Sequence, residues 1–142
     1  CEVIRIMPTL AMADLMGVSG AVKNNNEYIK RMFSSLGFYF EVEETDIEKV
    51  TAYSGCGLGF AAYLLNAYVK AGEALGFDEK TSEEITRLTF AGALKSGNYE
   101  QTVKKVATKG GATEQGVSFM NERNVEDLIC GAVKSAYDKY GR

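Results

Sequence analysis

The chain has 142 residues, of which 46% are hydrophobic and 25% charged, as in one ordinary globular domain. Its formal net charge is −3 without a basic cluster, which argues against a nucleic-acid partner, and the absence of histidine excludes His-based catalytic triads and His-ligated metal sites. The three cysteines lack the spacing of a disulfide framework, and no segment is typical of a signal peptide or a membrane span, so we expect a cytoplasmic protein without a membrane partner.

The first part of the chain predicts two strands. Residues 3–7 are apolar and partly β-branched, which predicts a strand that Pro8 closes. Residues 15–22, which include two glycines, predict a second, weaker strand. Because the chain starts at Cys1 and is strand-like almost at once, we expect it to be part of a longer protein.

A helix and a third strand are predicted next. The three asparagines at 24–26 predict a turn and a helix cap, and apolar residues then recur at helical spacing over 28–36 until Gly37 stops the helix. Residues 38–42 alternate in polarity, which predicts a half-buried strand. Residues 1–44 therefore predict the order strand, strand, helix, strand.

From residue 45 onward the periodicity is helical. Residues 46–53 predict a short helical stretch, which the glycine-rich segment Gly55–Gly59 interrupts. A long helix is predicted over residues 60–75, ending at Gly76, and it is apolar on nearly all sides. A helix of that composition must be covered on most of its surface.

Four more helices are predicted from their start signals. Thr81–Glu84 matches a capping box, which predicts a helix that runs to about Lys95. Asn98, Thr113 and Asn124 are the residues expected to cap the next three helices. Five helices with wide apolar faces cannot bury all of their apolar surface against one another. The apolar surface that stays exposed predicts association with a second copy of the chain.

The clearest candidate binding site is the loop Thr108–Thr113, with the sequence T-K-G-G-A-T. Paired glycines allow a tight turn and close approach of a ligand, and the helix that follows turns its free N–H groups and positive dipole end toward the loop. The loop therefore predicts a site for a small carboxylate, although a plain helix-to-helix turn has the same spacing.

The segment Ser54–Gly59 is a weaker candidate. It has two of the glycines of a dinucleotide-binding fingerprint, but Phe60 stands where the third is needed and no convincing strand precedes it. Cys56 is a poor nucleophile candidate because the chain has no histidine to activate it.

Five parts of the sequence match one ordered pattern: Val3–Pro8, Phe33–Gly37 followed by Val42–Glu44, Ser54–Gly57, Ala71–Gly76 and Thr108–Thr113. Together they resemble the V-R-x-M-P-N, F-x-x-x-G…V-x-E, S-G-S-G-P-A-Y, A-G-x-x-x-G and S-P-G-G-[AT]-T motifs of the pyrroline-5-carboxylate reductase family. The resemblance covers essentially the whole chain, and its most specific element is the glycine loop.

The resemblance implies an oxidoreductase of proline biosynthesis that reduces 1-pyrroline-5-carboxylate to L-proline with NADP or NAD as cofactor. It implies that residues 1–44 are the C-terminal strands and helix of a Rossmann nucleotide-binding domain, and that residues 45–142 are a five-helix dimerisation and substrate-binding domain. The expected fold class is thus α+β and mainly α, and the expected assembly is a homodimer or a higher oligomer.

The resemblance also assigns the substrate-binding residues. Backbone N–H groups of Gly111, Ala112 and Thr113 would bind the substrate carboxylate, next to Gly110 and the hydroxyl of Thr108. Thr113 would lie near the ring nitrogen and is the expected catalytic residue.

The cofactor-binding positions implied by the family fall on Met7, Pro8 and Thr9. At three motif centres the chain differs from the family: Thr9 replaces an asparagine, and Leu58 and Lys109 replace prolines. The phosphate-binding glycine loop that opens the family's sequences does not occur in these residues, so we expect the chain by itself to bind a dinucleotide weakly and to be inactive.

Two other hypotheses remain open. One, favoured by Thr9, is a divergent, non-catalytic dimerisation module on a reductase-like scaffold. The other is a hydroxyacid or ketoacid reductase. Such enzymes carry a lysine or histidine on the long helix after the nucleotide domain, and here that helix has only Lys70.

Overall fold

A computed structural model describes residues 3–140, which contain a three-stranded sheet and a series of helices. The strands are β1 (Ile6–Pro8), β2 (Gly17–Val22) and β3 (Gly37–Val42). The α-helices are α1 (Glu27–Ser34), α2 (Ile47–Val50), α3 (Gly57–Ala74), α4 (Glu79–Lys95), α5 (Tyr99–Val106), α6 (Ala112–Glu122) and α7 (Val125–Tyr140). The predicted class, α+β and mainly α, is confirmed.

The sheet has the order β1-β2-β3, with β1 antiparallel and β3 parallel to β2. The order strand, strand, helix, strand is confirmed, although β1 is shorter than predicted and a 3₁₀ helix at Leu10–Asp14, which the sequence did not predict, precedes β2. At the start of the parallel pair Gly17 lies opposite Gly37, whose φ is +144°. A Cβ at Gly37 would be 2.0 Å from the carbonyl oxygen of Gly17, so only glycine fits there.

The break between the short helical stretch and the long helix, predicted at Gly55–Gly59, is shorter than expected. Helix α2 continues as a π-helix at Thr51–Gly55, and after a turn at Cys56 the next helix already begins at Gly57. A glycine inside a helix costs only about 0.5–1 kcal/mol relative to alanine, which the long apolar helix outweighs. The end of α3 agrees with the prediction, because Gly76 has the positive φ of +97° typical of a helix terminus.

Two of the predicted helix caps are confirmed. The side chain of Asn26 accepts a hydrogen bond from the N–H of Ile29 at 3.2 Å, and Asn98 accepts one from Gln101 at 3.0 Å. Asn124 immediately precedes α7, with a left-handed φ of +51°.

Two other predicted caps are wrong. Helix α4 is capped by Asp78, which accepts from the N–H of Thr81 at 2.9 Å, so the predicted capping box lies inside the helix. Helix α6 has Gly111 at its N-cap without a side-chain bond, so Thr113 lies in the first turn and caps nothing. An N-cap residue needs an extended backbone. In both helices that conformation occurs at a residue before the threonine, namely Asp78 and Gly111.

The described residues divide into two compact units. The sheet unit comprises the residues up to Phe60 together with those from Cys130 onward, and the helical unit is Ala61–Ile129. The sheet unit has a buried apolar core of Ala21, Ile47, Val50 and Ala52. In the helical unit the buried residues are Ser82 and Thr86, and none is apolar. Among residues 3–140, no helix combines the length and apolar character needed to cross a bilayer.

Candidate functional site

The glycine loop forms a closed turn between α5 and α6. Gly110 has a φ of +74°, which favours glycine, and the N–H of Gly111 donates to the carbonyl of Thr108 at 2.8 Å. A Cβ at Gly111 would be 2.7 Å from the Thr108 hydroxyl oxygen and 2.9 Å from its carbonyl oxygen. Both glycines are therefore required for this turn.

The first turn of α6 presents unbonded amides. Its first intrahelical hydrogen bond runs from the N–H of Gln115 to the carbonyl of Gly111 at 3.2 Å. Among the described residues, the N–H groups of Ala112, Thr113 and Glu114 have no acceptor, and Ala112 and Thr113 are exposed. These N–H groups lie at the positive end of a helix of 11 residues, where an anion is stabilised.

The set of amide donors differs from the expected one at Gly111. Its N–H is already bonded to Thr108, so in this conformation two of the three expected amides, those of Ala112 and Thr113, are open to a ligand. Thr108 and Thr113 are both exposed, as hydroxyl donors to a ligand must be.

A carboxylate that the sequence analysis missed belongs to the same loop. The side chain of Glu114 accepts a hydrogen bond from the N–H of Gly110 at 2.6 Å. A signal for it was present, because a glutamate at the third helical position often reaches back to the residues before its helix. Within residues 3–140, Lys105 and Lys109 form no ion pair, whereas Lys104 pairs with Glu100 at 2.5 Å.

The residues expected at the cofactor lie together in the sheet unit, at the end of β1. Pro8 is exposed, while Thr9 is tied to β2: its hydroxyl accepts from the N–H of Val18 at 3.0 Å, and its own N–H donates to the Val18 carbonyl at 3.0 Å. The Met7 side chain lies against Gly55, where a Cβ would be 2.6 Å from the Met7 terminal carbon.

The segment Ser54–Gly59 is not a nucleotide-binding loop. It runs from the end of the π-helix into α3 and has neither the preceding strand nor the open turn that such a loop needs. In the part of the chain that the structure describes, no group of three or more acidic or cysteine residues is arranged to hold a metal ion.

One polar network in the sheet unit shifts a pKa. Burial raises the pKa of Glu41. The Asn24 N–H, the Tyr39 hydroxyl and the Lys30 ammonium together lower this pKa by more than burial raises it, so the pKa lies below its ordinary value. Glu41 accepts from Asn24 at 3.3 Å and from Tyr39 at 3.1 Å, and Lys30 lies 3.6 Å away. The network thus favours a charged carboxylate.

Comparison with known proteins gives a consistent result. Residues 44–142 match the family model described as pyrroline-5-carboxylate reductase dimerisation. The chain is 27% identical over 121 residues to a pyrroline-5-carboxylate reductase of Staphylococcus saprophyticus, covering 82% of the chain and 45% of the relative. It is 29% identical over 143 residues to pyrroline-5-carboxylate reductase 2 of Bacillus subtilis, covering 93% of the chain and 51% of the relative. The chain thus spans about half the length of the curated relatives it matches.

Solved structures show the same fold. A Plasmodium falciparum pyrroline carboxylate reductase with NADP bound superposes with a TM-score of 0.92 at 22% identity, covering 99% of the chain and 62% of that protein. A pyrroline-5-carboxylate reductase of Coxiella burnetii has a TM-score of 0.86 at 26% identity, covering 96% of the chain and 55% of that protein.

Proposed function

The chain belongs to the pyrroline-5-carboxylate reductase dimerisation family, and from this membership we propose that it is part of an NAD(P)H-dependent oxidoreductase that converts 1-pyrroline-5-carboxylate to L-proline. Several relatives that bear this enzyme name support the proposal. Because the chain spans about half of their length, the activity is assigned to the protein that contains it rather than to these residues by themselves.

One observation carries the proposal: the glycine turn presents the free N–H groups of Ala112 and Thr113 at the start of α6. A substrate carboxylate needs donors of this kind, and a helix N-terminus provides them with a favourable dipole. We assign substrate binding to Thr108, Gly110, Gly111, Ala112 and Thr113. In this assignment Gly110 and Gly111 shape the turn, Ala112 and Thr113 donate their amides, and the Thr108 hydroxyl donates from the side.

Thr113 is the proposed catalytic residue. Its hydroxyl is exposed in the first turn of α6, next to its own free N–H, so it can hydrogen-bond the ring nitrogen of a substrate whose carboxylate those amides hold. The role of the chain is to fix the position of the imine, since holding two reactants in the right geometry removes a large part of a reaction barrier.

NADPH or NADH, when bound, supplies the hydride that adds to the carbon of the protonated C=N bond. Met7 and Pro8, at the end of β1, are proposed to lie along the cofactor. Thr9 completes this set: its hydroxyl oxygen accepts from the Val18 N–H, and its own proton stays available to donate to a ligand. We propose that Met7, Pro8 and Thr9 form one edge of the dinucleotide site, for which these 142 residues contain no phosphate-binding glycine loop.

Association with a second copy is part of the proposal. Helices α3 to α6 have many exposed large apolar side chains, and the family is described by its dimerisation. Burial of such side chains between two copies stabilises a homodimer. A higher oligomer and the cytoplasmic location stay predictions.

The substrate site is tested with Gly111→Ala in the protein as its gene encodes it. The added Cβ meets Thr108 within the turn, so we expect KM for 1-pyrroline-5-carboxylate to rise at least about tenfold, a loss of about 1.4 kcal/mol. Gly116→Ala is the matched control, since a Cβ there meets nothing within 4 Å. Equal KM values for both variants and the wild type would refute the assignment.

The alternative is a non-catalytic dimerisation module, and Thr9 favours it, because this residue stands where the family has an asparagine and its side chain also bonds to the β2 backbone. The discriminating experiment measures oxidation of L-proline by NAD(P)⁺ together with cofactor binding. Turnover supports the reductase, whereas a folded dimer without turnover or cofactor binding supports the module.

A further inference from the structure

The carboxylate of Glu114 lies at the same glycine turn as the amides proposed to bind the substrate. The residue is half-buried, and its carboxylate accepts a hydrogen bond from the N–H of Gly110 at 2.6 Å, which favours one position of the side chain at the turn. Gly110 is only two residues from Ala112, and Cα atoms of neighbouring residues are about 3.8 Å apart, so the turn combines amide donors and a negative charge within a short distance.

The free amides and the Glu114 carboxylate have opposite effects on the binding of an anion. The free amides of Ala112 and Thr113 attract a carboxylate, but the negative charge of Glu114 opposes a ligand that is only an anion. A ligand that carries a cationic nitrogen beside its carboxylate satisfies both, because its carboxylate meets the amides and its cation meets Glu114. The second oxygen of the Glu114 carboxylate can accept such a hydrogen bond while the first remains on Gly110.

We propose that Glu114 is a specificity-determining residue, which makes the glycine turn select zwitterionic ring compounds, with a protonated nitrogen next to the carboxylate, over simple carboxylates. The inference rests on the proposed function and adds a charge requirement to it. The ring ammonium of L-proline meets this requirement with two N–H groups, one for the Thr113 hydroxyl and one for Glu114. The protonated imine of 1-pyrroline-5-carboxylate has a single N–H and is attracted to Glu114 by its positive charge. A purely structural Glu114, which only holds Gly110 in place, has no such preference.

The test uses two ligands of nearly equal shape, L-proline and tetrahydrofuran-2-carboxylate, in which an ether oxygen replaces the ring nitrogen. Their affinities are measured by calorimetry for the wild type, for Glu114→Gln and for Glu122→Gln, in the protein as its gene encodes it. Gln at position 114 retains an acceptor for Gly110 but loses the charge. Glu122, at the other end of α6, is the matched control for removal of one negative charge.

We expect Glu114→Gln to weaken L-proline at least about tenfold, as loss of a charge-assisted hydrogen bond does, while tetrahydrofuran-2-carboxylate binds as well as before or more tightly. Glu122→Gln should change neither affinity. Equal weakening of both ligands by Glu114→Gln, or no change in either, overturns the inference and leaves the proposed function intact. A wild-type protein that binds neither ligand and does not reduce 1-pyrroline-5-carboxylate overturns the proposed function as well.

Discussion

The sheet unit and the helical unit differ in where their apolar residues lie. In the sheet unit Ala21, Ile47, Val50 and Ala52 are buried within one chain, beside a sheet whose central strand β2 is paired on both sides. In the helical unit the only residues buried are the polar Ser82 and Thr86, and large side chains such as Leu88 and Leu94 are more than half exposed.

This difference indicates what each unit needs in order to be stable. Burial of apolar surface is the main favourable term in folding, so the sheet unit is stabilised within its own chain. The helical unit leaves most of its apolar surface to be covered from outside, as expected of a dimerisation family. The proposed site is in this second unit, so its geometry is expected to depend on assembly.

The largest effect is expected on dimer formation, from charges placed at exposed leucines of the helical unit. With both Leu88 and Leu94 replaced by Asp, each subunit loses the burial of the exposed parts of two leucines, about 2 kcal/mol or more per subunit, and we expect a monomer in analytical ultracentrifugation. Tyr28→Asp, at a residue that is 74% exposed on α1 of the sheet unit, is the control and should leave the dimer mass unchanged. If the double variant still sediments as a dimer, the claim that the helical unit depends on association to cover these side chains is wrong.

The next largest effect is expected inside the sheet unit, at Gly37. A Cβ there would overlap the backbone of Gly17, and the φ of +144° adds strain, so Gly37→Ala should lower the free energy of unfolding by about 3 kcal/mol or more. Gly59→Ala is the control, since nothing lies within 4 Å of its Cβ and alanine favours a helix. Urea denaturation measures both variants, and equal midpoints would contradict the close strand pairing.

A smaller effect is expected at the cap of α1. Asn26→Ala removes the acceptor for the Ile29 N–H and should cost about 1 kcal/mol of unfolding free energy. Asn25→Ala, at the exposed neighbouring residue, should change it little. If the two thermal melts shift equally, the cap is not the source of the effect.

The smallest effect is expected on acidification, through Glu41. Its pKa in the folded protein is lowered, so its stabilising contribution is present above the unfolded pKa of about 4.3 and is lost as the pH falls through the lower folded value. Glu41→Gln should therefore be less stable than the wild type at neutral pH, and the difference should shrink below about pH 4. A difference that is constant with pH would mean that the charge of Glu41 has no part in the network.

Local signals in the sequence predicted much of the fold. Asn26 and Asn98 were recognisable as caps because each acts on an N–H only three residues away. Asp78 and Gly111 were missed because a threonine follows each of them closely, and only the backbone conformation decides between two nearby capping residues. The register of β2 against β3, with Gly17 opposite Gly37, is a long-range property that no short pattern encodes.

The candidate site was predicted in part. The glycine turn and its position before a helix were evident from the motif, but the bond between Gly111 and Thr108 depends on the detailed turn geometry. Glu114 was missed because a glutamate in the first turn of a helix is common, so its place at the third helical position did not distinguish it from others.

The most direct test of the central claim is a crystal structure of the protein as its gene encodes it, with L-proline bound. We predict the carboxylate oxygens of L-proline about 3 Å from the main-chain nitrogens of Ala112 and Thr113, with the Gly111 N–H still bonded to Thr108. L-proline bound elsewhere, with these two amides facing solvent, would contradict the account.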